Sequence, residues 1–212
     1  MLRIRTLGVV CLLVSAPLFA AAERGKQRQP QQFLLAGAFG FAGNSSASGG
    51  GNKSEADLAS GLGFYLGNLG RVNRNLALGG TVGMTSWRAD SLPVDRSYMI
   101  DFDFLMRVRF PILPLNDKHD ALVAYVGMRT GFTLSILAVK DAAPLEANIG
   151  FGFNLSPVGG LNYNFVDTMG IFLEMGYGLH MAWHQLRSAG SEYTGRIANG
   201  EFALNFGLNF LY

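Results

Sequence analysis

Every second residue in the last dozen positions of the chain is apolar. Read backward, these positions are Tyr212, Phe210, Leu208, Phe206, Leu204 and Phe202. The residues between them are mostly small or polar. In a strand, successive side chains point to opposite faces, whereas a helix returns to the same face only after three or four residues. The C-terminal segment is therefore predicted to be a long β-strand with one apolar and one polar face.

The same alternation recurs along the chain, and no segment has a helical period. The clearest example is 98–110, where every even position is apolar. Long polar stretches at 43–55, 135–146 and 185–198 are expected to be loops. We expect strands at about 32–42, 57–67, 75–87, 98–110, 120–134, 149–165, 170–184 and 199–212.

Alternation alone leaves two folds open: a soluble barrel or sandwich with the apolar face inside, and a membrane barrel with that face outside. Charged residues make up only 15% of the chain, and the non-apolar face is Gly, Ala, Thr and Asn rather than Lys and Glu. An eight-stranded barrel has a narrow interior that rows of Phe would overfill. Strands of roughly 11–15 residues suit a tilted membrane crossing. The sequence therefore predicts an all-β, eight-stranded antiparallel up-and-down transmembrane β-barrel over 32–212.

The N-terminus has the pattern of a secretory signal peptide, at 1–22. Two arginines precede an apolar run at 7–19, and three alanines then suit cleavage before Glu23. A short membrane anchor is the alternative, but the run is too short for one. A polar tether at 23–31 would follow. Removal of Arg3 and Arg5 leaves 17 − 2 = 15 basic residues against 15 acidic ones, and this balance argues against nucleic-acid binding. It also removes Cys11, the one cysteine, so thiolate metal ligands and disulfides are not expected.

Several charged residues fall on the face that a membrane barrel would enclose. A turn centred near residue 115 would place Asp101 or Asp103 opposite Arg129, and Arg107 and Glu174 would meet across the lumen. Buried charges must be paired, so a salt-bridge network is the first interpretation. A proton or ion path, or a gate, is the alternative. The predicted lumen network consists of Asp101, Asp103, Arg107, Arg109, Arg129, Glu174, His180 and Glu201.

Histidines raise two further possibilities. His180 and His184 lie ~13 Å apart on one strand, too far for one metal ion with bonds of about 2 Å. His184 with Ser188 and Glu192 could form a hydrolase triad near one rim. The sequence lacks a His-x-Ser-Asn stretch like that of the outer-membrane lipid A deacylases, however. We predict no metal site, no cofactor and no catalytic residue.

The last eight residues resemble the C-terminal assembly signal of Gram-negative outer-membrane proteins, with Tyr where Phe is commoner. Its characteristic positions are Asn205, Gly207, Phe210 and Tyr212. The whole of 32–212 resembles the small barrels of the outer-membrane protein A and X type. This resemblance implies insertion by the outer-membrane assembly machinery, after transit with periplasmic chaperones.

A non-enzymatic role in envelope structure or surface binding is the leading expectation for a bacterial outer-membrane protein of this kind. Two alternatives are a narrow pore or proton-linked channel through the charged lumen, and a lipid A-modifying enzyme. Outer-membrane lipids and lipopolysaccharide are the expected partners. The basic residues near the outer rim that could contact lipopolysaccharide phosphates are Lys53, Arg88, Arg96 and Arg187.

Overall fold

The chain forms antiparallel strands throughout the residues that the computed structural model describes, which are 31–88, 94–117, 119–139, 145–147, 149–188 and 191–212. The predicted signal peptide and nearly all of the predicted tether lie outside these ranges. The strands within them are β1 (Gln31–Gly49), β2 (Asn52–Leu58), β3 (Gly61–Arg71), β4 (Leu76–Trp87), β5 (Val94–Pro114), β6 (Asp120–Val139), β7 (Leu145–Ala147), β8 (Gly150–Val166), β9 (Met169–Ser188) and β10 (Ser191–Leu211).

Eight of these strands close a ring, and the predicted fold class is confirmed. The pairing runs β1–β3–β4–β5–β6–β8–β9–β10 and returns from β10 to β1. All of these pairs are antiparallel, including the closing pair. Apart from the closing pair, each joins consecutive strands of the ring, with β2 and β7 intervening in the chain between β1 and β3 and between β6 and β8. The short strands β2 and β7 extend the sheet at one end, where they pair with β1 and β9. We call that end the far end, and the end that carries Gln31 and Tyr212 the terminal end.

The strands are strongly staggered. Paired residues, followed around the ring from Gly37 of β1, lead back to β1 at Ser48, which is 48 − 37 = 11 residues farther along. One of these residues, Ala42, lies at a register shift with a φ of 50° and has no partner on β10, so it adds to the residue count but not to the stagger of the paired strands. The remaining stagger of about ten residues requires the strands of an eight-stranded barrel to tilt by roughly 35–45° from its axis.

The apolar face of the ring points outward, as the sequence predicts. Phe104 is 47% exposed and Phe206 is 58% exposed, and similar side chains form a belt on the ring strands. Such an apolar surface is stable in contact with lipid and not with water. The described part of the chain contains no helix with the length and hydropathy that a membrane crossing demands.

The interior holds larger side chains than the sequence led us to expect. Tyr65, Leu105 and Phe172 belong to a buried apolar cluster near the terminal end, and Trp87 lies buried near the far end. Glycines in the wall make the room for them: a Cβ atom at Gly40 would lie 1.6 Å from the Trp87 ring. The lumen therefore takes individual aromatic side chains besides the small and charged ones, while the rows of Phe lie on the outside as predicted.

The predicted loops at the far end were also too long. Strand β1 continues to Gly49 and turns back through Gly50 and Gly51, so most of 43–55 is a hairpin. Strands β9 and β10 likewise occupy most of 185–198, and β6 extends to Val139. These strands continue beyond the apolar belt, where side chains can contact water. Their sequence is therefore polar without alternation, and it was interpreted as loop.

Candidate functional site

The eight charged residues predicted to face the lumen all lie inside the barrel. Their side chains are buried or nearly so, and seven of them form two layers along the barrel axis. The lower charged layer, toward the terminal end, consists of Arg107, Arg129 and Glu174. The upper charged layer consists of Asp101, Asp103, His180 and Glu201. Arg109 lies apart from both, where it contacts Asp120 at the terminal mouth.

Glu174 is the centre of the lower charged layer and is inaccessible to solvent. One carboxylate oxygen, Oε2, accepts a hydrogen bond of 2.7 Å from Arg107. The other, Oε1, accepts hydrogen bonds from Arg129, from Asn205 at 3.2 Å and from the Tyr65 hydroxyl at 3.4 Å. A buried carboxylate is tolerated only when its oxygens are satisfied in this way.

Aromatic rings cover the two guanidinium groups of the lower charged layer. The Cζ atom of Arg107 lies 4.2 Å from the centre of the Tyr125 ring and 5.6 Å from that of Phe172. The Cζ atom of Arg129 lies 4.1 Å from the centre of the Tyr65 ring. Each guanidinium thus combines a cation–π contact on its face with a carboxylate contact on its edge, a geometry available to arginine and not to lysine. The result is a packed plug across the barrel.

The upper charged layer has a different composition, with three carboxylates and one histidine. Asn154 Nδ2 donates to Asp101 at 3.0 Å and to Asp103 at 2.8 Å, so one amide lies between the two carboxylates. His180 lies between Asp101, at 3.4 Å from Nδ1, and Glu201, at 3.3 Å from Nε2. Both nitrogens of a protonated imidazole can donate, which suits a histidine between two acids.

A cavity of about 60 Å³ separates the two layers. Its lining includes Tyr65 and Arg129 from below, and Glu201 and Asn154 from above. Glu201 Oε2 and Asn154 Oδ1 have no hydrogen-bond partner within the described part of the protein. The cavity is polar and exceeds the roughly 10–15 Å³ that one water molecule needs, so water can satisfy these oxygens.

Apolar side chains close the lumen on both sides of the charged layers. A cluster of Ala56, Leu58, Trp87, Leu137 and Ile197 lies toward the far end. The cluster that contains Leu34, Leu69 and Leu105 lies toward the terminal end. Ions and polar solutes cross such packed apolar constrictions poorly, because water is excluded from them. Along the barrel axis, apolar clusters therefore flank the charged layers and the cavity between them.

One predicted pairing in the network was wrong, and another pair of residues meets as expected. The strand register places Thr133 opposite Asp101 and Gly131 opposite Asp103, whereas Arg129 faces Leu105. The hairpin is centred near residue 117 and not 115, with Pro114 opposite Asp120, and the two register shifts between Pro111 and Pro114 cancel each other. Arg129 instead reaches across the lumen to Glu174, where Arg107 joins it.

The histidines do not form a common site. His180 contacts acids in the upper charged layer, whereas the ring of His184 packs over Gly150 nearer the far end. The described residues contain no group of three or more His, Cys, Asp or Glu side chains with metal-binding geometry. The side chains of Ser188 and Glu192, which a hydrolase triad would require, lie outside the described residues. Ser188 follows His184 by four positions on β9, which puts their Cα atoms about 13 Å apart.

The residues of the predicted assembly signal also contribute to barrel closure. Asn205 donates to Glu174, and Phe210 packs against Phe33 with ring centres 6.3 Å apart. A Cβ atom at Gly207 would lie 2.2 Å from the backbone oxygen of Leu35, so only glycine fits there. Tyr212 exchanges backbone hydrogen bonds with Gln31 across the seam between the two ends of the chain.

Sequence reasoning missed the neutral residues that complete the network. Tyr65, Tyr125, Asn154 and Asn205 each touch a charged side chain of the lumen. All four lie on the inward face of their strands, and that parity was the available signal. Asn205 is 31 residues from its partner Glu174 in sequence, and Tyr65 is 109 residues from it. Such contacts depend on the stagger and tilt of the strands, which the parity does not give.

The barrel is shared with bacterial outer-membrane proteins of known structure. The crystal structure of the outer membrane protein OprG from Pseudomonas aeruginosa is similar to this chain with a TM-score of 0.65, at 11% identity, over 89% of this chain and 98% of that one. Neisserial surface protein A (0.46, 15% identity, 84% and 96%) and the Escherichia coli outer membrane protease OmpT (0.49, 8% identity, 89% and 99%) are less similar. No family model and no curated protein matches the chain. At these identities the similarity establishes the fold alone.

Proposed function

We propose that this chain is a non-enzymatic integral protein of the bacterial outer membrane, with an envelope-structural or surface-binding role. The observation that carries the proposal is the filled lumen. In both charged layers carboxylates contact cationic or protonatable side chains, and apolar clusters lie on either side of the layers. A barrel closed in this way stabilises itself in the membrane and leaves its outer surface for interaction.

The far end supports a role in surface display. Beyond the apolar belt, β1 and β2 form a hairpin that also pairs with the upper part of β10. On its exposed face Lys53 and Glu55 form an ion pair of 2.5 Å. The hydrogen bond from Lys53 and its charge lower the pKa of Glu55, which keeps the carboxylate ionised. On the inner face, Ala56 and Leu58 anchor the hairpin to the cluster around Trp87.

The location and partners follow from the same proposal. The far end would face the outside of the cell and both chain termini the periplasm, after cleavage of the signal peptide and insertion by the assembly machinery. Exposed bases at the far end, such as Lys53 and Arg88, would contact lipopolysaccharide phosphates.

Planar-bilayer conductance tests the closed lumen. We expect the purified barrel to give no discrete conductance steps, since the packed clusters exclude water. Steps in the unmodified protein that change in Arg107→Ala would contradict the proposal. That outcome would favour a narrow pore or proton-linked channel, which the polar cavity between the charged layers makes the second candidate.

Mass spectrometry of lipid A tests the non-enzymatic part. Cells with and without the protein should carry the same lipid A acylation pattern. A change in acyl-chain number that depends on His184 would replace the proposal with that of a lipid A-modifying enzyme.

A further inference from the structure

The cavity between the two charged layers has an oxygen-rich lining on its upper side. Three carboxylates line it there, those of Asp101, Asp103 and Glu201. The amide of Asn154 and the hydroxyl group of Thr85 add further oxygens. The volume of about 60 Å³ is several times the roughly 10–15 Å³ that one water molecule needs. The cavity can therefore hold a small ion together with water.

Two oxygens of this lining lack a donor, although their side chains are fixed. Glu201 is 2% exposed and Asn154 is 1% exposed. Glu201 Oε1 lies 3.3 Å from His180 Nε2, and Asn154 Nδ2 donates to Asp101 and Asp103. Glu201 Oε2 and Asn154 Oδ1 have no hydrogen-bond partner within the described part of the chain. Each side chain is thus held by one end, and its other oxygen is left for an occupant of the cavity.

The charges of the two layers do not cancel. Their four carboxylates belong to Asp101, Asp103, Glu174 and Glu201, and they face two guanidinium groups and one imidazole. With the His180 imidazole protonated, three positive charges against four negative ones leave a surplus of −1. Water can supply the missing hydrogen bonds, but it brings no counter-charge. An uncompensated charge in the interior of a barrel is costly.

We propose that the cavity binds one monovalent metal cation, of the sodium or potassium kind, beside Glu201 and Asn154. Carboxylate and amide oxygens are the ligands that hard cations take in proteins, and one positive charge neutralises the surplus. A calcium ion would need six to eight oxygen ligands. The described residues offer no group of three acidic or histidine side chains with metal-binding geometry, so a divalent ion is not the occupant that fits. A monovalent cation can complete its coordination with water held in the same cavity.

The lower wall of the cavity confines the cation to the upper side. Arg129 lines the cavity from below, where it bonds to Glu174 and lies against the Tyr65 ring. Its positive charge repels a cation, whereas the carboxylates of the upper charged layer attract one. The inference concerns the interior of the barrel alone, so it is independent of the surface role proposed above.

Urea unfolding of the full barrel in phosphatidylcholine vesicles tests the site. Choline chloride is replaced by sodium or potassium chloride at constant ionic strength, so that a bulky organic cation is the reference and surface charges are screened equally. The ratio of folded to unfolded protein should rise about tenfold for each tenfold rise of the small cation above its half-saturating concentration.

Three variants locate the effect. Glu201→Gln should abolish the dependence on the small cation, because it removes the charge of a ligand. Asp103→Asn should abolish it as well, because the charges of the two layers then cancel. Glu55→Gln removes an exposed carboxylate of the far-end hairpin and should leave the dependence intact.

Two results would overturn the proposal. One is equal stability of the unmodified protein in choline and in both small cations, since a proton on an upper carboxylate would then supply the neutralising charge. The other is a dependence that Glu201→Gln and Asp103→Asn leave as strong as before, because the ions would then act on the surface or on the lipid. The first comparison needs no variant, so the proposal can fail even where a substitution prevents folding.

Discussion

The two charged layers of the lumen solve the problem of buried charge in opposite ways. In the lower charged layer two arginines share one glutamate, aromatic rings cover the guanidinium faces, and both carboxylate oxygens are occupied. In the upper charged layer three carboxylates share one histidine, and oxygens of Glu201 and Asn154 face a cavity. The Glu174 carboxylate finds donors for both oxygens within the protein, although the Nε atoms of Arg107 and Arg129 have no acceptor among the described residues. The Glu201 carboxylate needs water to satisfy its second oxygen. The difference predicts that the lower charged layer stabilises the barrel and the upper one adds little.

The largest expected effect is that of Glu174→Gln. This substitution leaves Arg107 and Arg129 buried without a counter-charge, and a broken buried ion pair costs roughly 3–5 kcal/mol. Glu201→Gln in the upper charged layer is the matched control and should cost about 1 kcal/mol, because Gln keeps an oxygen that faces His180 and the Asp101 carboxylate still balances the imidazole. Urea unfolding of both variants in lipid vesicles measures the difference. Equal losses would mean that the two layers do not differ in the proposed way.

A second comparison uses two alanines on β1 that both face the lumen. Ala36 is 3% exposed within the packed cluster of the terminal half, whereas Ala38 lines the cavity. Ala36→Val should cost about 1–3 kcal/mol of unfolding free energy, because extra methyl groups in a full core force neighbours to move. Ala38→Val should change it by less than about 1 kcal/mol, because the cavity accepts the methyl groups. A loss at Ala38 as large as that at Ala36 would show that the cavity is too rigid or too small to accept them.

Side-chain parity made much of this architecture predictable. In a regular strand a single assignment, such as Phe104 outward, fixes the direction of every neighbour, so Asp101, Asp103 and Arg107 follow. The rule fails where the backbone departs from regular alternation. An unbroken strand over 57–67, as predicted, would point Leu58 and Leu62 the same way, yet Leu58 is 7% exposed and Leu62 is 70% exposed. The chain is interrupted between β2 and β3, and this interruption changes the face.

The partners of the charged residues were less predictable than their direction. A contact across the lumen depends on the stagger of every intervening pair of strands, and each bulge changes that stagger by one residue. Here a turn centred two residues later than assumed, with Pro114 opposite Asp120, was enough to place Gly131 and not Arg129 opposite Asp103. The aromatic cover of the two arginines was missed as well. Tyr125 lies on β6, next to the strand of Arg107, but Phe172 and Tyr65 reach Arg107 and Arg129 from strands that are not their neighbours.

The smallest expected effect is that of Asp103→Asn, and it distinguishes the two layers most finely. In the unmodified protein Asn154 donates to both Asp101 and Asp103. The substitution keeps an oxygen at position 103 that can still accept from Asn154. It also removes a negative charge that repels Asp101, so the loss and the gain nearly cancel. The unfolding free energy should change by less than about 1 kcal/mol in either direction. A loss above about 2 kcal/mol would imply that Asp103 is a required counter-charge, as Glu174 is, and the contrast between the layers would fail.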